Sequence, residues 1–183
     1  EAAAATVVIQ GLTFKFVYVL PPTPATTLDP ADIGLADGPE RVAYKARKYG
    51  GHIIDLKPFG AQSPLQVSAI DCAGGARCDK IQVWTVAPVL ANGWVILGET
   101  SKIVTISAQR IVDIETSSSG VAVVLTGRDG ESVEMAFRQP QSIGAAVVTQ
   151  ACTVGMSGFV RVAVNASSSK GFCSFEARGF FVG

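Results

Sequence analysis

An all-β domain with one short helix, built as an antiparallel β-sandwich or flattened barrel, is what this amino-acid sequence predicts. Three observations carry that expectation. After Gly51 the chain breaks into short runs rich in β-branched and aromatic residues. Turn signals separate those runs at Asn92-Gly93, Ser119-Gly120, Asp129-Gly130, Gly155 to Gly158 and Lys170-Gly171. One stretch alone, GPERVAYKARKYGG, carries the chemistry of helix ends. Short strands at close spacing favour antiparallel meanders.

Taken in order, Glu1 to Ala5 (EAAAA) reads as the tail of a preceding flexible segment, too short to hold a helix alone. Thr6 to Leu20 alternates Phe14, Phe16 and Tyr18 with Lys15, Val17 and Val19, as one long strand bulged at Gly11. Residues 21–38 hold Pro21, Pro22, Pro24 and Pro30, which cannot donate a regular ladder, so an extended surface connection is expected. The helix is expected near 39–49: Pro39 suits the first helical position, Glu40 the first turn, basic residues the last, and Gly50 the left-handed stop. Residues 6–183 then form a single β-rich domain. In SVEMAFR, Val133, Met135 and Phe137 face the core while Ser132, Glu134 and Arg138 face away. Val160, Val162 and Val164 form the inward set of FVRVAVN.

Composition narrows the function classes. At 183 residues, with 48% hydrophobic and 16% charged, the chain has ample material for a core. Lys plus Arg and Asp plus Glu each number 15, so no overall field recruits nucleic acid or an anionic surface. Nothing resembles a twenty-residue bilayer span. The numbering begins at Glu1, so any leader or acylation signal is expected outside it.

Few motifs carry chemistry. In IDCAGGARCDK, Cys72 and Cys78 stand too far apart for the usual zinc pair, and His52 is the one histidine, which leaves a short hairpin disulfide or two thiols beside a turn. Cys152 and Cys173 each fall on the apolar side of their strand and read as small buried hydrophobes, although an even cysteine count keeps two bridges in play for a secreted chain. Asn165-Ala166-Ser167 is a glycosylation acceptor of consequence only after export. GMSG around Ser157 lacks the nucleophile elbow. Asp55, Asp71, Asp113, Glu99 and Glu115 could pair for glycoside chemistry, yet solvated or turn-forming roles explain them more simply. Asp29, Asp32 and Asp37 lack the calcium-loop alternation and suit turns and caps. Trp84 and Trp94 read as core or hairpin partners. Arg41, Lys45, Arg47 and Lys48 form the one pointed surface feature, a possible patch for an anionic partner set against a solvated helix face. No catalytic, cofactor-binding or metal-binding residue is assigned, and no cofactor is expected.

The segment Thr85 to Arg110, TVAPVLANGWVILGETSKIVTISAQR, resembles the C-terminal domain of the immune mapped protein 1 family, membrane-associated antigens of apicomplexan parasites. The alanine-rich start resembles the low-complexity segment that precedes that domain. The resemblance implies an all-β domain held at the inner face of the plasma membrane through a lipidated preceding segment, with no established enzymatic activity. It also implies reduced cysteines, with CAGGARC as two thiols around a Gly-Gly turn. The expectation is therefore a non-enzymatic module with an unidentified protein partner. The alternatives are a secreted disulfide-bonded binding module and a hydrolase using paired carboxylates.

Overall fold

The computed structural model describes residues 2–36, 38–46, 53–70, 81–144, 146–166 and 171–175. The first strands, β1 (Ala2–Ile9) and β2 (Leu12–Val19), pair antiparallel from Ala2↔Val19 to Ile9↔Leu12. Between them Gln10 (φ 50°) and Gly11 (φ 78°) both take positive φ, the requirement of a two-residue primed turn whose twist matches the strands. The expected bulge at Gly11 is thus a hairpin turn, and Ala2 to Ala5, expected as a tail, are laddered strand.

A five-stranded sheet runs in the order β1-β2-β7-β4-β5, with β4 at Arg41–Ala46, β5 at Ile53–Phe59 and β7 at Gln82–Pro88. The expected helix near 39–49 is corrected here: its described part is the strand β4, bonded on both sides by β5 and β7. The reason is tertiary. Val42 and Tyr44 enter the main core while Ala43 is buried on the opposite face. A strand between two others buries both faces, whereas a surface helix would bury one stripe.

Against one face of this sheet lie two others: β12-β11-β8, formed by Val147–Thr153, Ser132–Arg138 and Val95–Glu99, and β14-β13-β10-β9, formed by Phe172–Ser174, Phe159–Asn165, Gly120–Thr126 and Ile111–Thr116. All named pairings are antiparallel, as an all-β sandwich requires, and no sheet closes into a barrel. The main core between the layers gathers Phe14, Phe16, Tyr44, Trp94, Leu97, Leu125, Met135 and Phe137, together with the expected Val133, Val160, Val162 and Val164. Of the expected outward set in β11, Ser132 is exposed, but Arg138 is buried.

The Pro-rich segment departs furthest from expectation. It supplies β3 (Thr26–Leu28), which pairs with β6 (Leu65–Val67), and a 3₁₀ turn at Pro30–Ile33. Leu28, Ile33, Leu35, Leu65 and Val67 make a second apolar cluster with Val17, Val19, Ala43, Trp84 and Val86 on the far face of the central sheet. Covering that face removes its apolar side chains from water, so the segment is a packed layer. The segment KIVTIS (102–107), although rich in β-branched residues, is irregular and folds back, Glu99 N–H donating to the Thr105 carbonyl at 2.8 Å. That turn buries Thr105 beside Tyr44, whose hydroxyl donates to Leu97 O at 2.7 Å. Desolvation pushes the Tyr44 phenol well above its ordinary value.

Two further links tie the sheets together. Cys152 on β12 and Cys173 on β14 form a disulfide with Cα atoms 5.8 Å apart, the bridge that the even cysteine count kept open beside the reading as small buried hydrophobes. The strands bring two inward positions within bridging range, so each cysteine is apolar in setting and covalently paired as well. At the other end, the Gln10 side chain accepts from Ile114 N–H at 3.1 Å and donates to Asp113, fixing the first hairpin to the edge of β9.

Candidate functional site

The densest chemistry centres on Arg110. It sits just before β9 and reaches Glu99 at the end of β8 and Glu131 just before β11. Nε donates to Glu99 Oε1 at 2.8 Å, and Nη2 to Glu99 Oε2 at 3.1 Å and Glu131 Oε1 at 2.7 Å. Nη1 donates to Glu131 Oε2 at 2.9 Å and to the Thr126 carbonyl at 2.8 Å. All five guanidinium hydrogens are thereby used. Gly127 leaves room for this: a Cβ there would lie 2.7 Å from both Arg110 Nη1 and Glu131 Oε2.

The electrostatics follow from that geometry. The Arg110 hydrogen bond, aided by the Arg128 backbone N–H, draws the Glu131 carboxyl from its ordinary 4.5 down to about 2. Its hydrogen bond to Glu131 drives the Arg110 guanidinium further up. A cleft of about 570 Å³ opens beside the cluster, lined also by Lys102, Ser107 and Gln109. Two carboxylates do meet here, as the paired-carboxylate alternative requires. Arg110 holds Glu131 ionised, whereas a general acid needs a raised pKa. Chemically the cluster is a clamp across three strand ends.

The other acids have local duties. Asp55, exposed at φ 55°, pairs with Lys45 at 2.8 Å, and Glu115 pairs with Arg161 at 2.8 Å. Asp113 accepts from Gln10. Asp32 Oδ2 accepts from Asp29 N–H at 2.8 Å in the cap of the 3₁₀ turn, the role expected of these loop acids. Among the described residues no group of three His, Cys, Asp or Glu side chains could hold a metal ion. Ser157 lies in the turn between β12 and β13. Asp37, His52, Asp71, Cys72, Cys78 and Ser167 lie outside the described residues.

The expected basic patch is taken apart by the strand. Arg41 and Lys45 stand at opposite ends of β4, Arg41 at 8% exposure and Lys45 with its Nζ 4.4 Å from the centre of the Trp84 ring. Lys57 Nζ lies 4.6 Å from the same centre. Arg47 and Lys48 fall outside the described residues. Trp94 is in the main core and Trp84 in the second, where core roles were expected.

A surface that the sequence did not single out lies on the four-stranded sheet. Val160, Val162 and Val164 point inward from β13, so Phe159 and Arg161 share its outer face. The register adds Phe172 of β14 opposite Ala163, and the Arg161 guanidinium lies 6.0 Å from the Phe172 ring centre. At the end of this stripe a turn places Met156 in solvent, 90% exposed, with the Phe175 ring against Gly155. Phe159, Phe172 and Phe175 are 39%, 47% and 56% exposed. No protein-family model, no curated protein and no solved structure matches this chain. The geometry of its surfaces is therefore what bears on function. The one signal that could have flagged this surface is parity: once Val160, Val162 and Val164 are inward, Phe159 and Arg161 must be outward. Phe172 adds a neighbouring aromatic only through strand pairing.

Proposed function

We propose that this chain is a non-enzymatic protein-interaction domain whose partner seats on the outer face of the four-stranded sheet. The observation that supports it is the stripe Phe159, Arg161 and Phe172, continued by Met156 and Phe175. Aromatic residues, Arg and Met are the side chains enriched where protein surfaces meet, and exposed apolar neighbours gain most from being covered. The resemblance to the immune mapped protein 1 family agrees with this reading and would place it as an antigen domain on the cytoplasmic side of the plasma membrane, tethered through a preceding lipidated segment. Among the described residues no helix is long and apolar enough to cross a membrane.

A second reading differs in compartment. The Cys152–Cys173 bridge favours a secreted, disulfide-bonded binding module, because such bonds persist in oxidising environments and are rare in the cytosol. Intact mass of protein from its native source, before and after reduction, separates the two. A gain on reduction supports the secreted module, and no change supports the cytosolic one.

The binding reading is tested by comparing wild type with a Phe172→Asp, Arg161→Glu double variant, using quantitative capture from the native source. Both side chains are at least partly exposed, and the variant should keep its melting temperature within a few degrees. Proteins retained by wild type and lost by the variant are expected. Equal retention by both, or robust turnover by wild type in a broad hydrolase screen, overturns the proposal.

A further inference from the structure

At the other side of the molecule a guanidinium opens onto a cleft. Arg41, at the start of β4, is 8% exposed, and its single hydrogen bond among the described residues runs from Nη2 to the Ala36 carbonyl at 3.3 Å. Among the described residues no carboxylate lies within 4.0 Å of it. A guanidinium has five N–H donors, so most of those of Arg41 have no protein partner among the described residues. Arg110 shows the contrast, with every donor used.

The same Arg41 forms part of the wall of a cleft of about 420 Å³, within the size range of small-ligand sites. Pro30, Pro39, Pro58 and Phe59 give it apolar walls, and Gln62 and Ser63 also line it. Gly38 makes the approach possible, because a Cβ there would stand 3.1 Å from Nη2.

The charge content selects the ligand. Among the described residues of the wall Arg41 is the one cation and Glu40 the one anion. A phosphate dianion would meet one guanidinium and a repelling carboxylate. A carboxylate carries a single charge, matches the planar fork with two oxygens, and leaves an apolar body for the proline and phenylalanine walls. We infer that this cleft is a binding site for a carboxylate with an apolar body, held by Arg41. The chemistry is shared by a free small acid and by the C-terminus of a peptide. The site lies apart from the aromatic stripe and stands or falls independently of it.

Nitrogen-15 amide spectra of the full chain titrated with benzoate test it, with benzamide and inorganic phosphate as controls. Two further titrants are a tripeptide ending in Phe as the free acid and the same peptide as the carboxamide. Saturable shifts confined to amides near 38–41 and 59–63, absent with benzamide and carboxamide, are expected. Arg41→Gln should weaken binding about tenfold or more, since hydrogen bonds to a charged group are the strong ones. Because Arg41 is buried, Ala61→Trp provides a second variant, narrowing the cleft from its exposed rim while leaving the guanidinium in place, and it should weaken binding too. Benzoate binding assigns a free acid, and binding of the peptide acid alone assigns a chain terminus. Silence of both, equal binding by wild type and Ala61→Trp, or phosphate binding as tight as either carboxylate overturns the assignment.

Discussion

Arg110 is the side chain on which most polar contacts converge, and its removal has a defined cost. Arg110→Ala would leave the buried Glu99 side chain, 5% exposed, without its partner, and would strip the Thr126 carbonyl of a donor. Loss of one member of a buried pair costs about 3–5 kcal/mol, and urea unfolding should show a drop of that order. The pH dependence has a definite sign. Glu131 titrates lower in the folded state than in the unfolded chain, so the unfolded chain binds more protons between the two values. Its contribution is complete above about pH 4.5 and disappears as the pH falls toward 2. Melting temperatures from pH 7 to pH 2 should fall in that window, and Glu131→Gln should flatten part of the fall. A wild-type melting temperature unchanged down to pH 2 would show that Arg110 does not hold this carboxylate.

Among the elements, β14 depends most on a covalent link. It pairs with β13 over only three residues, Phe172 to Ser174, and is anchored further by the Cys173–Cys152 bridge across a separation of 21 residues. Closing a loop of that length constrains the unfolded chain by about 3 kcal/mol. Cys173→Ser, or reduction of the wild type, should therefore lower the urea midpoint by a matching amount and loosen the aromatic stripe through Phe172. Unchanged midpoints under reduction would remove the bridge from the account. Which elements were legible follows from where their large apolar residues fall. In β11 and β13 the large apolar residues Val133, Met135 and Phe137, and Val160, Val162 and Val164, recur at every second position, so the strands can be read directly even though Ala136, Arg138 and Ala163 between and beside them are buried too. In β4, Val42, Ala43 and Tyr44 are consecutive and all buried. The period of two vanishes there, and the flanking Pro39 and Gly50 imitate helix ends. The Arg110 cluster had no local signature, because its members stand 11 and 21 positions apart and meet only once three strand ends converge.

For the whole molecule, two apolar clusters on opposite faces of the central sheet raise the question of whether they melt together. The main cluster spans all three large sheets, while the second rests on the shared strands β2, β4 and β7. Neither can lose that sheet and survive, so a single cooperative transition is expected. Trp94 reports the first cluster and Trp84 the second. The variants Trp84→Phe and Trp94→Phe, each retaining one indole, should follow the same fluorescence transition as far-ultraviolet circular dichroism within each protein. Separate midpoints would mean that the Pro-rich layer detaches first. The three-layer arrangement also leaves outer strands whose free backbone groups could template an intruding chain. At β9 one amide occupies part of that edge: Gln10 presents an oxygen to Ile114 N–H, as a neighbouring strand would, and donates to the Asp113 carboxylate. Gln10→Ala would bare that N–H while leaving both cores intact, and light scattering on long incubation should then rise above that of the wild type.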